Sequence, residues 1–344
     1  MGSFKTVLIA IGEDPKPGIH TGAQELPEWV TQHLEDHGID NAYHPCYTGK
    51  DLEKYASDAD VVWMFSGSRI LTAETIPLLK ECGAILKVGS GVDNIDVEAA
   101  TRLGIIVVNT PEAVTGPVAE HTIALLLAAV RNVIRQNQWV KSGHWGAHDA
   151  RPIHDLEGST LGLIGFGRIA QLVARKLAAF EMSFVAYDPF VSTAEIEAHG
   201  ARAVSLDELL RESHFVSVHC NLTPETEAII GERELRIMRK DAILVNTARG
   251  PLVDEKALYE ALSEGWIAAA ALDVMDTEPP APDSPLLRLE NAIITPHVGG
   301  MSGDWPDRSW RALCRALVAM SQGRWPDSVV NREAVRPRAE WLKP

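Results

Sequence analysis

The chain is short of cysteine, of basic residues relative to acidic ones, and of long apolar runs. Four cysteines among 344 residues, Cys46, Cys82, Cys220 and Cys314, lie far apart. No Cys-x-x-Cys spacing offers a zinc or redox site, so the simplest expectation is reduced thiols in a reducing compartment, with neither a disulfide framework nor a metal. Basic residues number 32 against 47 acidic ones, a formal charge of −15. That charge would repel a phosphate backbone unless the bases gathered on one face, and no such cluster is visible, so nucleic acid is not expected as a partner. The longest apolar stretches, around Ile123–Val130 and Trp266–Leu272, fall well short of the ~20 residues that span a bilayer. No charged-then-apolar leader opens the sequence. The expectation is a cytoplasmic protein without a membrane partner.

What remains is ordinary for a folded chain: 46% apolar and 23% charged residues, enough length for two domains at ~150 residues each. Short runs rich in Val and Ile alternate with helical stretches: Thr6–Ala10 then Ala23–Asp36, Val61–Phe65 then Ala73–Cys82, Ile85–Val88 then Ile105–Val108. Near-continuous apolar strands of this kind belong to parallel sheets covered on both faces by helices. A long helical pattern follows from Pro117 to about Val140, then a polar stretch, Ser142–Gly158. The alternation restarts with strand Thr160–Ile164, helix Arg168–Phe180 and strand Ser183–Tyr187, and continues through strands at Phe215–Val218, Ala242–Val245, Ala268–Leu272 and Ala292–Thr295. A last helix is expected over about Asp307–Ser321. The fold class is therefore α/β, with two doubly wound parallel-sheet domains.

Gly165-Phe166-Gly167-Arg168-Ile169-Ala170 follows the strand Leu161–Ile164 and opens a helix, the context that a dinucleotide fingerprint requires. Gly165 permits the tight turn, Gly167 removes a side chain that would block a pyrophosphate, and small Ala170 lets helix and sheet pack closely. The helix N-terminus presents free N–H groups and positive partial charge. Asp188 lies 23 positions after Gly165, at the end of the next strand. A carboxylate there can accept hydrogen bonds from both ribose hydroxyls, which favours NAD over NADP.

Three further segments fall at expected strand ends, where open α/β sheets bind their ligands: Asn246-Thr247-Ala248-Arg249-Gly250, Asp273-Val274-Met275-Asp276-Thr277-Glu278-Pro279-Pro280 and Thr295-Pro296-His297-Val298-Gly299-Gly300. With Val88-Gly89-Ser90-Gly91-Val92-Asp93-Asn94-Ile95-Asp96, Val118-Ala119-Glu120-His121 and Val329-Val330-Asn331, they make the sequence strongly resemble the D-isomer-specific 2-hydroxyacid dehydrogenase family over nearly its whole length. Val114, Pro117 and Asn221 stand where that family often has Asn, Ser and Pro.

The resemblance implies that Arg249 clamps the substrate carboxylate and carbonyl, that His297 is the general acid/base, and that Glu278 orients His297 and keeps it protonated. It also implies that the backbone near Ser90 and Gly91 holds the substrate carboxylate. Arg168, Ile169, Cys220, Thr247 and Asp273 would contact NAD beside Gly165, Gly167 and Asp188, with Asp273 at the nicotinamide carboxamide. The chemistry is coherent independently. Reduction of a 2-oxo acid leaves an alkoxide that must take a proton, which a histidine backed by a carboxylate supplies near neutral pH. A planar, permanently charged guanidinium pairs with a carboxylate and polarises the adjacent carbonyl. Singly, each residue has an ordinary reading: a strand cap, a surface ion pair, a loop acid. Their joint placement at strand ends behind a dinucleotide turn favours catalysis.

The implied architecture is a Rossmann cofactor domain, residues 113–298, inserted in a flavodoxin-like substrate domain, residues 1–112 and 299–344. The helix Val118–Val130 is too rich in Leu, Ile and Ala for one buried stripe, so a homodimer through this region is expected. Trp145, Trp305 and Trp310 are open to two readings, pocket wall or ordinary packing. The fold also hosts other activities among relatives, so an NAD(H)-sensing peptide-binding corepressor-like module and a phosphite- or formate-type dehydrogenase stand as alternatives to reduction of a small 2-oxo acid.

Overall fold

The computed structural model describes residues 4–11, 26–65, 68–146 and 154–342. The chain groups into two compact units. One takes the described residues up to Val114 and from Ser302 onward, and the other runs Thr115–Met301.

In the first unit five strands, β1 (Phe4–Ile11), β2 (Ile39–Tyr43), β3 (Val61–Phe65), β4 (Ala84–Lys87) and β5 (Ile106–Asn109), form a wholly parallel sheet ordered β2-β1-β3-β4-β5. This is the flavodoxin-like order. Alternate residues enter opposite cores: Leu8, Trp63 and Leu86 on one face, Val7, Ile9, Val62, Met64 and Ile85 on the other. Helices α1 (Glu28–Asp36), α2 (Gly49–Tyr55) and α3 (Val97–Arg102) lie between the strands in sequence. The C-terminal helix Trp305–Ser321 closes the Leu8 face with Trp310, Leu313, Leu317 and Met320. Trp310 stacks obliquely on Phe65 at 4.8 Å, and Trp305 meets the same ring edge-on at 5.4 Å. Those two tryptophans serve as packing, whereas Trp145 is 90% exposed.

After that helix the chain runs back along the same sheet. Val330 N donates to Val107 O, and the Asn331 amide bonds the backbone of Val107 and Ile105. Arg338 donates to the carbonyls of Leu79 and Cys82. Gly83 and Gly104 make room for this strap: a Cβ on Gly83 would lie 2.3 Å from Ala339 Cβ, and one on Gly104 2.6 Å from Arg336 O.

The second unit carries seven parallel strands: β6 (Thr160–Ile164), β7 (Ser183–Tyr187), β8 (Arg202–Ala203), β9 (Phe215–Val218), β10 (Ile243–Asn246), β11 (Ala269–Leu272) and β12 (Ala292–Ile294). Their order is β12-β11-β10-β9-β6-β7-β8. The direction of winding reverses between β6 and β9, the switch point at which such sheets bind dinucleotides. Helices α4 (Thr115–Val130), α5 (Val133–Lys141) and α6 (Arg168–Leu177) precede α7 (Thr193–Ala198), α8 (Leu206–Glu212), α9 (Glu232–Ile237) and α10 (Glu255–Glu264). Ile243 and Val245 face a core built with α4 and α6, while Leu244 between them faces the core under α8, α9 and α10. On α4, Leu125 and Leu126 are 4% and 1% exposed, each burial contributing ~2 kcal/mol.

Three helix expectations are corrected. The stretch Ala73–Cys82 forms only a 3-10 turn, Ile76–Leu78. Pro77 lacks a donor, and the Thr75 hydroxyl accepts the N–H of Thr72 at 2.9 Å, a local bond that competes with helix. The pattern Pro117–Val140 is two helices bent by 60°, because Asn132 adopts a left-handed conformation, φ 52°, one that Asn tolerates better than most residues. The first helix starts at Glu28 behind Pro27, and residues 23–25 of the expected span lie outside the described residues, as do 147–153 of the polar stretch.

Candidate active site

Residues singled out from the sequence in the second unit stand at the carboxyl ends of its strands. After β6 the backbone turns at Gly165, whose φ is +83° and whose N–H donates to Tyr187 O at 2.8 Å. A Cβ there would lie 2.5 Å from Cys220 N and 2.8 Å from His219 C. Both the left-handed backbone and the close approach of the loop after β9 therefore require glycine. Gly167 is different: its φ is −79°, and a Cβ would meet nothing within 4 Å. It is the N-cap of α6 with no side-chain cap bond, so its own side chain takes none of the first-turn N–H groups, those of Arg168 and Ile169 among them. Asp188 closes the turn, accepting from Phe166 N at 2.8 Å and Phe190 N at 2.9 Å. A bare helix start, a glycine with room before it and a carboxylate at the end of the adjacent strand β7 fit the pyrophosphate and ribose of a dinucleotide.

The second cluster involves the loops after β10, β11 and β12. Asn246 shapes the first loop, accepting from Ala248 N at 3.0 Å and donating to Arg249 O at 2.8 Å. Thr122 on α4 donates to Val118 O at 2.8 Å, so the 2.7 Å contact with Thr247 is a bond that the Thr247 hydroxyl donates. Gly250 allows this loop to meet the next: a Cβ would lie 2.0 Å from Met275 C. Arg249 Nη1 donates to Ala248 O at 2.7 Å, and the Glu278 carboxyl feels the charge of this guanidinium.

His297 and Glu278 are paired, with Nδ1 2.7 Å from Oε2. An ionised carboxylate only accepts, so the imidazole donates from Nδ1 and its Nε2 is left for other chemistry. Burial raises the Glu278 carboxyl, but the bond and charge of His297, Met275 N–H at 3.1 Å and Arg249 outweigh it, and its pKa falls below the ordinary 4.5. The His297 side chain is 47% exposed. His219, at the end of β9, contrasts with it: burial lowers that imidazole to about 4, leaving a neutral ring beside the Ser217 hydroxyl.

His297 has φ +52°. Its N–H donates to Asp273 O at 2.8 Å and Thr295 O at 3.0 Å. Asp273, 2% exposed, accepts from Thr295 Oγ1 at 2.6 Å, Val298 N at 3.0 Å and Gly299 N at 2.7 Å. His121 Nε2 lies 3.2 Å from the same carboxylate and 3.0 Å from Thr295 Oγ1. The sequence assigned no role to His121, Thr122 or Thr295, although His121 and Thr295 stand inside segments it had marked.

Ser90 and Gly91 belong to the first unit. Gly89, φ +104°, donates to Thr110 Oγ1 at 2.8 Å and accepts from Thr110 N at 2.8 Å, and Asn109 Nδ2 donates to Ser90 O at 2.7 Å. Among the described residues no group of three or more His, Cys, Asp or Glu side chains could hold a metal ion. No single described helix is long and apolar enough to cross a membrane.

Residues 123–299 match the family model described as D-isomer specific 2-hydroxyacid dehydrogenase, NAD binding domain. The chain is 43% identical over 285 residues to D-3-phosphoglycerate dehydrogenase of Methanocaldococcus jannaschii, covering 83% of this chain and 54% of that one, so it spans about half that relative's length. To glyoxylate reductase of Aeropyrum pernix it is 43% identical over 321 residues, 91% of this chain and 95% of that one. Among solved structures, D-lactate dehydrogenase from Aquifex aeolicus complexed with NAD and lactic acid matches with a TM-score of 0.79 at 28% identity, over 94% of this chain and 97% of that chain.

Proposed function

This chain belongs to the D-isomer specific 2-hydroxyacid dehydrogenase family and carries its NAD-binding domain, and from that premise we propose that it reduces a small 2-oxo acid to the D-2-hydroxy acid, and the reverse, with His297 as acid/base and Arg249 as clamp. The observation that carries this reading is the 2.7 Å pair between His297 Nδ1 and Glu278 Oε2, beside a loop that presents Arg249.

Bound NAD(H) supplies the hydride. Gly165, Gly167 and the first-turn N–H groups of Arg168 and Ile169 would hold its pyrophosphate and Asp188 its adenine ribose, with Cys220 and Thr247 lining the same strand ends. The chain's own work is proton transfer and charge stabilisation. Glu278, ionised at neutral pH, anchors Nδ1–H, so Nε2 gives its proton to the alkoxide in reduction and takes the hydroxyl proton in oxidation. Arg249 orients the carboxylate of the 2-oxo acid and stabilises charge that grows on its carbonyl oxygen. Ser90 and Gly91 are proposed as further carboxylate contacts, supported by the fixed turn that Asn109 and Thr110 impose on them.

The division into a cofactor domain at 113–298 and a substrate domain at 1–112 and 299–344 is part of the same reading, supported by a grouping of the chain that changes after Val114 and Met301. So is a homodimer: α5 has no buried residue and exposes Val133, Ile134 and Val140, apolar surface that a second copy would cover. A cytoplasmic location is supported by four free cysteines, three of them buried.

The test is NADH consumption with glyoxylate, hydroxypyruvate, pyruvate, phenylpyruvate and 3-phosphohydroxypyruvate, with phosphite and formate in the oxidative direction and a peptide pull-down as contrasts. Turnover of a 2-oxo acid that falls ~10²- to 10⁴-fold in His297→Asn, with NADH binding nearly unchanged, supports the proposal. Full turnover by that variant removes His297 from the mechanism, and NADH-dependent peptide capture without turnover replaces the enzyme by a sensor.

A further inference from the structure

We propose that His121 is a positioning residue for cofactor binding: with the Thr295 hydroxyl it occupies one oxygen of the Asp273 carboxylate and so reserves the other for the nicotinamide carboxamide. The proposal rests on the reading of Asp273 as the partner of that carboxamide, and adds to it two residues that the sequence left without a role.

The donors around Asp273 are shared unevenly between its two oxygens. Oδ1 accepts from the Thr295 hydroxyl at 2.6 Å and from Val298 N at 3.0 Å, and His121 Nε2 lies 3.2 Å from it. Oδ2 accepts from Gly299 N at 2.7 Å and from no other donor among the described residues. An ionised carboxylate oxygen has two lone pairs to offer. Oδ1 is therefore filled, while Oδ2 keeps room for one more N–H. A carboxamide NH2 is a donor of that kind. At 2% exposure the carboxylate depends on protein and ligand donors rather than on bulk water.

The oxygens differ because α4 brings His121 to Oδ1. The Thr295 hydroxyl has a single proton, which it gives to Oδ1, so toward His121 Nε2 at 3.0 Å it accepts. His121 therefore donates from Nε2, and the same N–H points at the hydroxyl and at Oδ1. Its backbone belongs to a helix of 16 residues rather than to a loop, which fixes the plane of the carboxylate from a rigid element. On the other side Gly299 leaves Oδ2 uncovered, since a Cβ there would lie 2.8 Å from that oxygen and 3.3 Å from the His121 ring. Without the His121–Thr295 pair the carboxylate is free to turn about its Cβ–Cγ bond and to redistribute the Val298 and Gly299 N–H groups. The acceptor left for the cofactor then loses its direction.

The experiment measures Kd by fluorescence for NADH and for its reduced 3-acetylpyridine analogue, in which a methyl group replaces the carboxamide NH2. The proteins are the full chain and its variants His121→Leu, His121→Gln, Thr295→Val and Thr295→Ser, without substrate, so proton transfer by His297 plays no part in the result. Wild type should bind NADH ~10- to 100-fold more tightly than the analogue, the worth of one hydrogen bond to a charged group. His121→Leu and Thr295→Val should raise NADH Kd ~3- to 10-fold and leave that of the analogue within ~2-fold, so the preference shrinks by nearly the same factor. His121→Gln, whose amide presents a donor in place of Nε2, and Thr295→Ser, which keeps the hydroxyl, should restore the preference. Imidazole ¹⁵N spectra of the cofactor-free wild type should show His121 protonated at Nε2, and a proton on Nδ1 alone overturns the proposal. So does a rise of both Kd values by one factor in His121→Leu and Thr295→Val, which leaves these residues a structural role only, and so does an unchanged preference. If wild type binds both ligands equally, the carboxamide reading of Asp273 fails first and takes the proposal with it. Should His121→Leu not fold, Thr295→Val and Thr295→Ser decide.

Discussion

Two glycines of one turn should respond differently to the same methyl group. At Gly165 an alanine must adopt φ near +83° and place its Cβ 2.5 Å from Cys220 N, 2.7 Å from Cys220 Cα and 2.8 Å from His219 C. The left-handed backbone costs ~1–2 kcal/mol. The clash is with main chain rather than with a flexible side chain, and such overpacking costs ~1–3 kcal/mol. The sum, ~2–5 kcal/mol, corresponds to a fall of roughly 4–20 °C in Tm for a unit of this size. At Gly167 the same methyl meets nothing within 4 Å and the backbone is unrestricted, so stability should change by less than ~0.5 kcal/mol. Its cost should appear only with cofactor: if the pyrophosphate approaches that Cα, one or two charge-assisted bonds to first-turn N–H groups are lost, ~1.5–3 kcal/mol, or ~10- to 100-fold in NADH Kd. Differential scanning calorimetry and NADH fluorescence titration on Gly165→Ala and Gly167→Ala read the two effects separately. Wild-type Tm in the first variant, or wild-type NADH affinity in the second, would refute the division of labour between turn and cradle.

Other consequences follow from the charges and thiols. Because Glu278 has a folded-state pKa below 4.5, its ionisation stabilises the fold above that pH and the contribution disappears as pH falls through the lower folded value. The Tm gap between wild type and Glu278→Gln should therefore be widest near neutral pH and shrink below pH 4.5, and a gap constant from pH 7 to 3 would contradict the pairing. Asp188 would lie ~4 Å from a 2′-phosphate and repel it by ~1–4 kcal/mol, so kcat/KM with NADPH should fall short of that with NADH by at least ~5-fold, and equal use of the two cofactors would refute its ribose role. Burial pushes all four thiols, at Cys46, Cys82, Cys220 and Cys314, up to about 11. Alkylation of the native protein at pH 7.5 should be ~100-fold slower than that of an ordinary thiol, and rapid labelling of any one would show that site open.

Legibility in the sequence followed burial. The strands β6, β7 and β9 stand where the apolar runs put them, β11 and β12 differ by a single residue at one end and β10 is shifted by one residue, because strands covered on both faces leave unbroken hydrophobic blocks. Elements with mixed faces left no such mark: β2 buries only Ile39, which Asp40 and Asn41 follow, and α2 depends on the Thr48–Asp51 capping box rather than on an apolar stripe. Among site residues, Arg249, Glu278 and His297 could be named because their chemistry is scarce and their segments follow strands. The bonds from Thr122 to Thr247, and from Asp273 to Thr295, Val298 and Gly299, join positions separated by up to 125 residues. Partners so far apart leave no local pattern, and one is a common threonine inside an apolar helix.

The return of the chain to its first sheet bears on the order of events during synthesis. Strands β1, β3 and β4 leave a ribosome well before the cover for their Leu8 face, Trp310 through Met320, which follows only after the whole seven-stranded unit has been made. Since contiguous segments condense as soon as they are complete, the middle of the polypeptide can mature while the beginning waits with one greasy flank bare. A nascent chain stalled before residue 305 should attract chaperones through that flank, and a circular permutant that delivers the last helix first should shed that dependence.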